Sequence, residues 1–557
     1  MAPASKPTYT VRVRDLVEFV LRRGDLGGGG EFVGSDRALA GTRGHQKLQR
    51  SRPAGYEKEM PLTYDVETEQ FILRIKGRLD GVLVTAEETV LEEIKTVQGS
   101  WDRTANPLHW AQAKLYGFLY AQDHALEHLV LQLTYLDLDT GGVTEFRERH
   151  TFVELQNFFE ATTSVYLAWI QDRHEWCRKR DESIRSLTFP FSGFRAGQRE
   201  LAVAAYRVLA NGGRLFLEAP TGIGKTISVL FPAVKALGEG KLERIFYLTA
   251  RTVGRAIAEK AFADMRQGGL QLRTLTLTAK AKICVRDGQP CDVSTCPLAL
   301  GYYDRCKPAM RAALDHAEIT RSVLDTVSRE HQVCPFELAL DVSAWVDAVI
   351  CDYNYVFDPQ VYLRRHFAED GGDYGFLVDE AHNLVDRARE MFSAELDSAE
   401  IQEVRRAIKA VPRCAKALTK LILTMRKLAG PKAWLAELTQ EPDAAEELKL
   451  FPSRTASNTG QQSSLYDQKN EVQTNRELPA DLLPLLEHAM EEAEAWLVQN
   501  QPAEFREKLL ELYFRLYSFR RTAELYDERY VTIIASLGSA RIRLFCLDPS
   551  FLLGQAL

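Results

Sequence analysis

Hydrophobic and polar residues trade places along this chain in three successive patterns. Between residues 71 and 135 the alternation has period two over short runs such as "FILRI", "LDGVLV" and "TVLEEIKTV". These runs predict strands at 71–75, 79–84, 89–97 and 127–135. Apolar spacings of three and four predict helices at 13–23, 107–123 and 153–171. The densely charged run "DRHEWCRKRDESIR" then reads as the end of a first domain. From 188 the strands "RLFLEAP", "RIFYLTA", "AVICDY" and "FLVDEAH" alternate with helical stretches. That alternation implies a parallel sheet covered on both faces. Past 390 the pattern turns helical, in "ELPADLLPLLEHAMEEAEAWLVQN" and "PAEFREKLLELYFRLYSFRRTAELYDERY". Between 430 and those helices, "SRTASNTGQQSSLYDQKNEVQTN" is polar and predicts a loop. The end returns to strand at "RIRLFCLDPS".

Composition changes this picture little. The 557 residues are 45% hydrophobic and 26% charged, as in ordinary multidomain water-facing proteins. A net charge of -7 excludes a uniformly basic nucleic-acid binder but leaves room for a local basic groove. No apolar run is long enough for a membrane span, and the first residues lack a signal-peptide core, so a cytoplasmic protein without a membrane partner is expected. Nine cysteines are present, and Cys284, Cys291, Cys296, Cys306 and Cys334 fall within one stretch. Such a cluster, without a secretory signal, points to metal more than to disulfides.

The strongest local motif is "EAPTGIGKT", 218–226, between a predicted strand and the helix "ISVLFPAVKAL". Gly222 and Gly224 let backbone N–H groups wrap phosphates, Lys225 reaches the outer phosphates, and the Thr226 hydroxyl is placed for Mg²⁺. "FLVDEAHN" supplies the partner. There Asp379 is expected to bind Mg²⁺ through water, Glu380 to polarise the attacking water, and His382 to couple nucleotide state to its surroundings. This pair resembles the DEAH-type superfamily 2 helicases. Upstream, "FPFSGFRAGQREL" resembles their adenine-reading segment, with Gln198 as its glutamine and Arg195 three residues before it. "YLTARTVGRA" resembles their first strand-binding motif, which implies that Thr249 and Arg251 touch DNA phosphates.

Between the two motifs lies "KAKICVRDGQPCDVSTCPLALGYYDRC", followed by "HQVCPFELAL". Four thiolates suffice for a [4Fe–4S] cluster or a structural zinc. An insertion at this place ending in Cys-Pro-aromatic resembles the XPD/DinG-type iron–sulfur helicases. The resemblance implies Cys284, Cys291, Cys296 and Cys334 as ligands, with Cys306 a spare that could replace Cys291 or Cys296. It also implies that the helical stretch after the DEAH box is an arch around single-stranded DNA.

The strand "TVLEEIKTV" raises its own question. Period-two geometry puts Glu93 and Lys95 on one face and Ile94 on the other. An isolated Glu-x-Lys is usually a solvated face. Here Asp80 lies on the preceding strand, and the turn "TAEET" would bring it beside Glu93. Paired carboxylates can hold a divalent metal, and a lysine can steady a phosphate in transition. Asp…Glu-x-Lys resembles the PD-(D/E)XK nucleases. His45 upstream, and Gln112 and Tyr116 one helical turn apart downstream, resemble the RecB-like branch. That resemblance implies His45 as a further metal ligand and Gln112 and Tyr116 as groups positioning Lys95 or DNA. Glu59 is an auxiliary carboxylate candidate.

The expected fold is α/β: a restriction-endonuclease-like domain (1–175), then a RecA-like P-loop motor lobe (188–280 and 336–390). That lobe carries an iron–sulfur insertion (281–335) and a helical arch (391–530), with a truncated return to the lobe at 531–557. The expected function is a 5′ to 3′ ATP-dependent DNA helicase fused to a metal-dependent DNA nuclease. It is expected to act on single-stranded, forked or flapped DNA, with ATP, Mg²⁺ or Mn²⁺, and a [4Fe–4S] cluster. No second motor lobe follows, so weak ATPase activity is expected of this chain. The alternative is a DNA-binding scaffold that keeps the nuclease fold as a clamp.

Overall fold

The computed structural model describes residues 6–26, 37–97, 101–138, 140–220, 222–286, 296–359, 363–367, 372–430, 471–499, 501, 503–536 and 538–556. The chain divides into two compact units, Met1–Asp352 with Arg364–Asp379, and Tyr353–Leu363 with Glu380–Leu557. Cys291 and most of the polar stretch 453–475 lie outside the described residues.

The first unit opens with a mixed sheet. Its strands are β1 (Thr8–Arg12), β2 (Tyr56–Glu67), β3 (Ile72–Val84), β4 (Thr89–Val97), β5 (His128–Asp137) and β6 (Val143–Thr151). They run in the order β1-β3-β4-β5-β6, with β2 also paired to β3. The two pieces predicted at 71–75 and 79–84 are one strand. Gly77 between them is a close-approach residue rather than a turn: a Cβ there would come within 2.5 Å of the Tyr116 ring. The three predicted helices form, as α1 (Val13–Leu21), α3 (Pro107–His124) and α4 (Phe152–Ser186), and α2 (Arg37–Ser51) carries His45. Asn106 caps α3 by accepting from the Leu108 N–H, and Thr151 and Glu154 make a capping box on α4.

α4 runs to Ser186, through the charged run expected to end the domain. The charges there have a buried partner. Asp347, fully buried, accepts from Arg173 (3.2 Å), Arg180 (2.8 Å), the Trp176 indole N–H (2.8 Å) and the Arg273 backbone N–H (2.9 Å). Just beyond, Ile184 and Leu187 enter the apolar core of a second, parallel sheet. The helix therefore belongs to both parts of the unit.

That second sheet is parallel. β7 (Arg244–Leu248), β8 (Thr274–Thr276), β9 (Glu318–Ile319), β10 (Ala348–Cys351) and β11 (Tyr374–Val378) stand in the order β11-β7-β10-β8-β9. α5 (Gln198–Asn211), α6 (Lys225–Gly238) and α7 (Thr252–Gln267) accompany it. The predicted strand "RLFLEAP" is not one: residues 214–220 pair with no strand, and Phe216 is 84% exposed. β propensity makes a strand only where a neighbour takes up the backbone hydrogen bonds.

In the second unit, helices Ser398–Ala407, Pro412–Ala429, Leu483–Leu497 and Arg506–Glu524 pack each against the next. They share the unit with an antiparallel sheet of β12 (Ala394–Asp397), β13 (Glu471–Asn475), β14 (Tyr530–Ser536) and β15 (Ala540–Cys546), ordered β12-β15-β14-β13. The expected return at 531–557 to the parallel lobe is thus replaced by a hairpin in this separate sheet. The predicted all-helical insertion also contains strands β12 and β13.

Candidate active sites

The β3–β4 ladder pairs Gly81 with Glu92, which brings Asp80 to the level of Glu93 and Ile94. Asp80 Oδ2 accepts the Ile94 backbone N–H at 2.6 Å. Ile94 itself is buried in the core. The Lys95 ammonium donates to Glu93 Oε1 at 2.6 Å and to Gln112 Oε1 at 3.2 Å. Gln112 in turn donates to the Tyr116 hydroxyl at 3.5 Å. His45 Nδ1 stands 4.0 Å from Asp80 Oδ1. The six residues chosen from sequence thus converge on one face, in the order Tyr116–Gln112–Lys95–Glu93 and His45–Asp80.

Two groups escaped sequence reasoning. Glu92, on the other side of β4, is saturated: it accepts from Arg52, Tyr56 (2.7 Å), Gln132 (2.9 Å) and Thr134. This network pins β4 from behind. Nothing in the doublet Glu92-Glu93 distinguishes a structural carboxylate from a reactive one. The second group is Gln49, which donates to Glu59 Oε1 (3.1 Å) and to the Asp80 carbonyl (3.0 Å). The β2–β3 ladder is interrupted here, between the pairs Lys58–Gly81 and Met60–Leu79, and Glu59 has φ 56°. A left-handed non-glycine residue is strained, and this one sits across from Asp80.

Burial governs the electrostatics of these carboxyls. Burial, followed by the charge of Asp80, pushes the Glu93 carboxyl up to about 7. Burial likewise pushes Asp80 up to about 6, against the pull of the Ile94 N–H and Lys95. Burial and then Lys95 hold His45 below its usual value, so its imidazole stays neutral. Glu93 Oε2 is buried without a hydrogen-bond partner, which costs free energy unless a proton or a cation takes it up. Among the described residues, however, no three His, Cys, Asp or Glu side chains form a metal-holding group. The protein oxygens present are those of two carboxylates, with His45 at the margin.

This electrostatic state makes the site sensitive to pH. Both carboxyls are raised above their ordinary values of 3.8 and 4.5. They therefore contribute stability that is present below those values and lost as pH rises through about 6 to 7. The metal-free protein is expected to lose thermal stability across that window. Mn²⁺ is expected to restore it above the window and not below, since binding requires both carboxylates deprotonated. Thermal unfolding with and without Mn²⁺ checks this; the paired change Asp80→Asn with Glu93→Gln should flatten the profile. An unchanged slope in that variant would remove the assignment.

The glycine-rich stretch expected to bind phosphates leads into α6. Gly222 and Gly224 have φ 84° and 86°, and Lys225 and Thr226 open the helix. A Cβ on Gly224 would lie 2.8 Å from the Gln198 side-chain nitrogen. Gln198 is buried and accepts the Arg195 backbone N–H at 2.9 Å, while the Arg195 guanidinium donates to the Gly222 carbonyl. The expected adenine-reading segment thus clasps the loop. Asp379 directly follows β11, which pairs with β7, and accepts from the Thr249 hydroxyl at 3.3 Å. Thr249 is 2% exposed, so it supports Asp379 rather than facing DNA as expected; Arg251 remains exposed at the start of α7. Gly254 admits this contact, since a Cβ there would lie 2.1 Å from the Thr249 hydroxyl. Glu380 comes directly after Asp379 in the chain and belongs to the second unit, with φ 49° and its carboxylate 3.3 Å from His382.

Cys284, Cys296 and Cys334 line one cavity of about 280 Å³. Cys306 does not line it; its thiol is buried, pushed up to about 11 by burial, and lies 3.7 Å from the Tyr303 carbonyl. The spare cysteine is therefore set apart from the three proposed ligands that are described.

Comparison with known proteins bears on the second sheet and the chain just beyond it. Residues 249–401 match the DEAD_2 family model. The general transcription and DNA repair factor IIH helicase subunit XPD of Dictyostelium discoideum is 23% identical over 240 residues, 38% of this chain and 30% of that protein. A regulator of telomere elongation helicase 1 homolog from Caenorhabditis elegans is 25% identical over 260 residues, 39% of this chain and 26% of that protein. A Fanconi anemia group J protein homolog from Gallus gallus is 29% identical over 111 residues, 19% of this chain and 9% of that protein. The chain spans 30% or less of the length of these relatives. A solved structure described as truncated XPD has TM-score 0.36 at 17% identity, covering 64% of this chain and 89% of that one. By its family match and these curated relatives, the chain is similar to XPD-like superfamily 2 helicases. Among the described residues, no helix is long and apolar enough to cross a membrane.

Proposed function

We propose that this chain is an ATP-driven DNA motor of the XPD-like helicase type joined to a metal-dependent DNA nuclease, acting on single-stranded, forked or flapped DNA during repair. The clasp of Arg195 and Gln198 on the glycines of the phosphate loop carries the motor reading. Gln198 would read the base edge of a nucleotide whose phosphates lie over Gly222 and Gly224. Lys225 neutralises the outer phosphates, and Thr226 and Asp379 would hold Mg²⁺, which withdraws charge from the phosphoryl oxygens. Glu380 would polarise the attacking water, with His382 paired to it. Replacing Lys225 with alanine is expected to weaken ATP binding by at least about tenfold, since one charge-assisted contact to phosphate is worth roughly 1.5–3 kcal/mol. Titration with a fluorescent ATP analogue measures it; unaltered binding would sink the assignment.

Asp80 and Glu93 would hold the nuclease cation, whose chemistry is to acidify a bound water and polarise the scissile phosphate. The residues around it do the orienting. Glu93 and Gln112 hold the Lys95 ammonium at the rim of the site, where it can meet charge developing on a phosphate. Tyr116 backs Gln112, and Glu92 with Arg52 fixes the strand that bears both functional groups. Cys284, Cys296 and Cys334, with Cys291, would hold a [4Fe–4S] cluster as a structural element of the motor.

A further inference from the structure

A second cavity of about 280 Å³ runs along one face of α4, within the first unit. Three of the chain's seven tryptophans, Trp169, Trp176 and Trp345, line it. Two of its arginines are spoken for. Arg311 lies over the Trp169 ring, 4.4 Å from its centroid, and pairs with Asp172 at 2.6 Å. Arg173 donates to Asp347 and to the Trp345 carbonyl. Arg273 is not spoken for. Its guanidinium lies over the Trp176 ring, 3.9 Å from the centroid, and Nε is buried with no hydrogen-bond partner. Among the described residues its side chain makes no hydrogen bond and no ion pair. Asp347 acts on it only through space, because its oxygens already take Arg173, Arg180, the Trp176 N–H and the Arg273 backbone N–H. Burial, ahead of that attraction, holds the Arg273 guanidinium below its ordinary range. Three more charges on the lining are also unmatched among the described residues. Lys179 is exposed and has no ion pair, and neither Glu175 nor Asp315 has a cation within ion-pair distance.

We propose that this cavity binds a nucleotide, with the base among the tryptophans and Arg273 and the phosphate at Lys179. A half-buried guanidinium without a partner is costly, and a ligand that accepts hydrogen bonds removes the cost. The lining restricts which ligand that is. A plain anion would meet Arg273 but would be repelled by Glu175 and Asp315. An apolar ligand would suit the tryptophans and leave Arg273 stranded. A nucleobase answers all of these groups: its faces suit indole rings and a guanidinium plane, and its edge carries both acceptors and amino donors. Arg273 offers its donor fork to the acceptors, and the two carboxylates accept from the amino groups. Lys179, at the exposed end of the stripe, is left for the phosphate. No residue of the Asp80–Glu93 face or of the glycine-rich stretch before α6 lines this cavity. The site is therefore additional to both and stands without the motor or the nuclease reading. A free mononucleotide and an unpaired base of a single strand share this chemistry.

The test uses the whole chain in EDTA, so that neither divalent-cation chemistry contributes. Tryptophan fluorescence is titrated with dGMP, with deoxyguanosine, with inorganic phosphate and with a short single-stranded oligodeoxynucleotide of mixed sequence. Saturable quenching is expected from dGMP if the source is a free nucleotide, and from the oligonucleotide alone if it is a strand. Arg273→Ala is expected to weaken whichever binds by about tenfold or more, the usual cost of one hydrogen bond to a charged group. Lys179→Ala should weaken it several-fold and leave deoxyguanosine unaffected. Because Lys179 is exposed and unpaired, that variant should keep the parent's thermal unfolding, which preserves the test if Arg273→Ala unsettles the fold. Quenching by neither probe would overturn the proposal, as would binding that both substitutions leave unchanged. Inorganic phosphate binding as tightly as dGMP would reduce the site to an anion hole and remove the base from it. A signal abolished by Lys225→Ala would place the nucleotide at the glycine-rich stretch instead.

Discussion

Glu93→Gln and Lys95→Ala are each expected to lower divalent-cation-dependent DNA cleavage by about 100- to 1000-fold, the usual cost of deleting one group that meets transition-state charge. The two lose activity for different reasons. Glu93→Gln keeps the shape of a side chain that is 3% exposed but removes the charge that attracts the cation and holds the ammonium 2.6 Å away. Its defect should ease at high Mn²⁺. Lys95→Ala leaves both carboxylates in place, so cation affinity should stay or rise while turnover falls. End-labelled single-stranded DNA with Mn²⁺ and no ATP reads both, and the label reports polarity. Cleavage that survives both substitutions would place the chemistry elsewhere. A parent that binds DNA without cutting it would convert the site into a clamp.

The legible part of this site came from period-two geometry. Once β3 and β4 were strands joined by "TAEET", Asp80 had to meet Glu93, and the ladder places Gly81 opposite Glu92 accordingly. Gln112 and Tyr116 followed from helical spacing in the same way. The hidden part depended on partners far away in the chain. Glu92 looks like its neighbour Glu93 until Arg52 and Gln132 arrive from other elements. Spacing could not separate Cys306, inside the helix Tyr302–Leu314, from Cys334, just before the helix Pro335–Ser343; only the cavity does. Thr249 was expected on DNA because its motif implies exposure, yet Asp379, 130 residues on, draws it inward. The short strand β12, four residues long, carries too little pattern to betray its antiparallel pairing with β15.

The charged run in α4 misled most, and its resolution carries the largest expected effect on stability. "DRHEWCRKRDESIR" reads as solvated because Asp347, its partner, lies more than 160 residues downstream. Asp347→Ala is expected to destabilise the first unit by about 3–5 kcal/mol, because it strands two guanidiniums and an indole N–H in a site built for a carboxylate. Burial alone would raise the Asp347 carboxyl; Arg173 and Arg180 outweigh it and hold the group below its ordinary 3.8. Its contribution is therefore complete above that value and lost as pH falls beneath it, so the parent and Asp347→Ala should converge in strong acid. Asp347→Asn, which can still accept hydrogen bonds, should lie between the two. The loss should be felt in both sheets, since α4 packs Phe159 against Tyr64 of β2 near its start and delivers Ile184 to the core of the second sheet near its end. Urea unfolding, with hydrogen exchange along 173–187 as the local probe, measures it. A loss below about 1 kcal/mol would mean that the network behaves as surface pairs do. The first sheet would then be joined to the second without help from a buried charge.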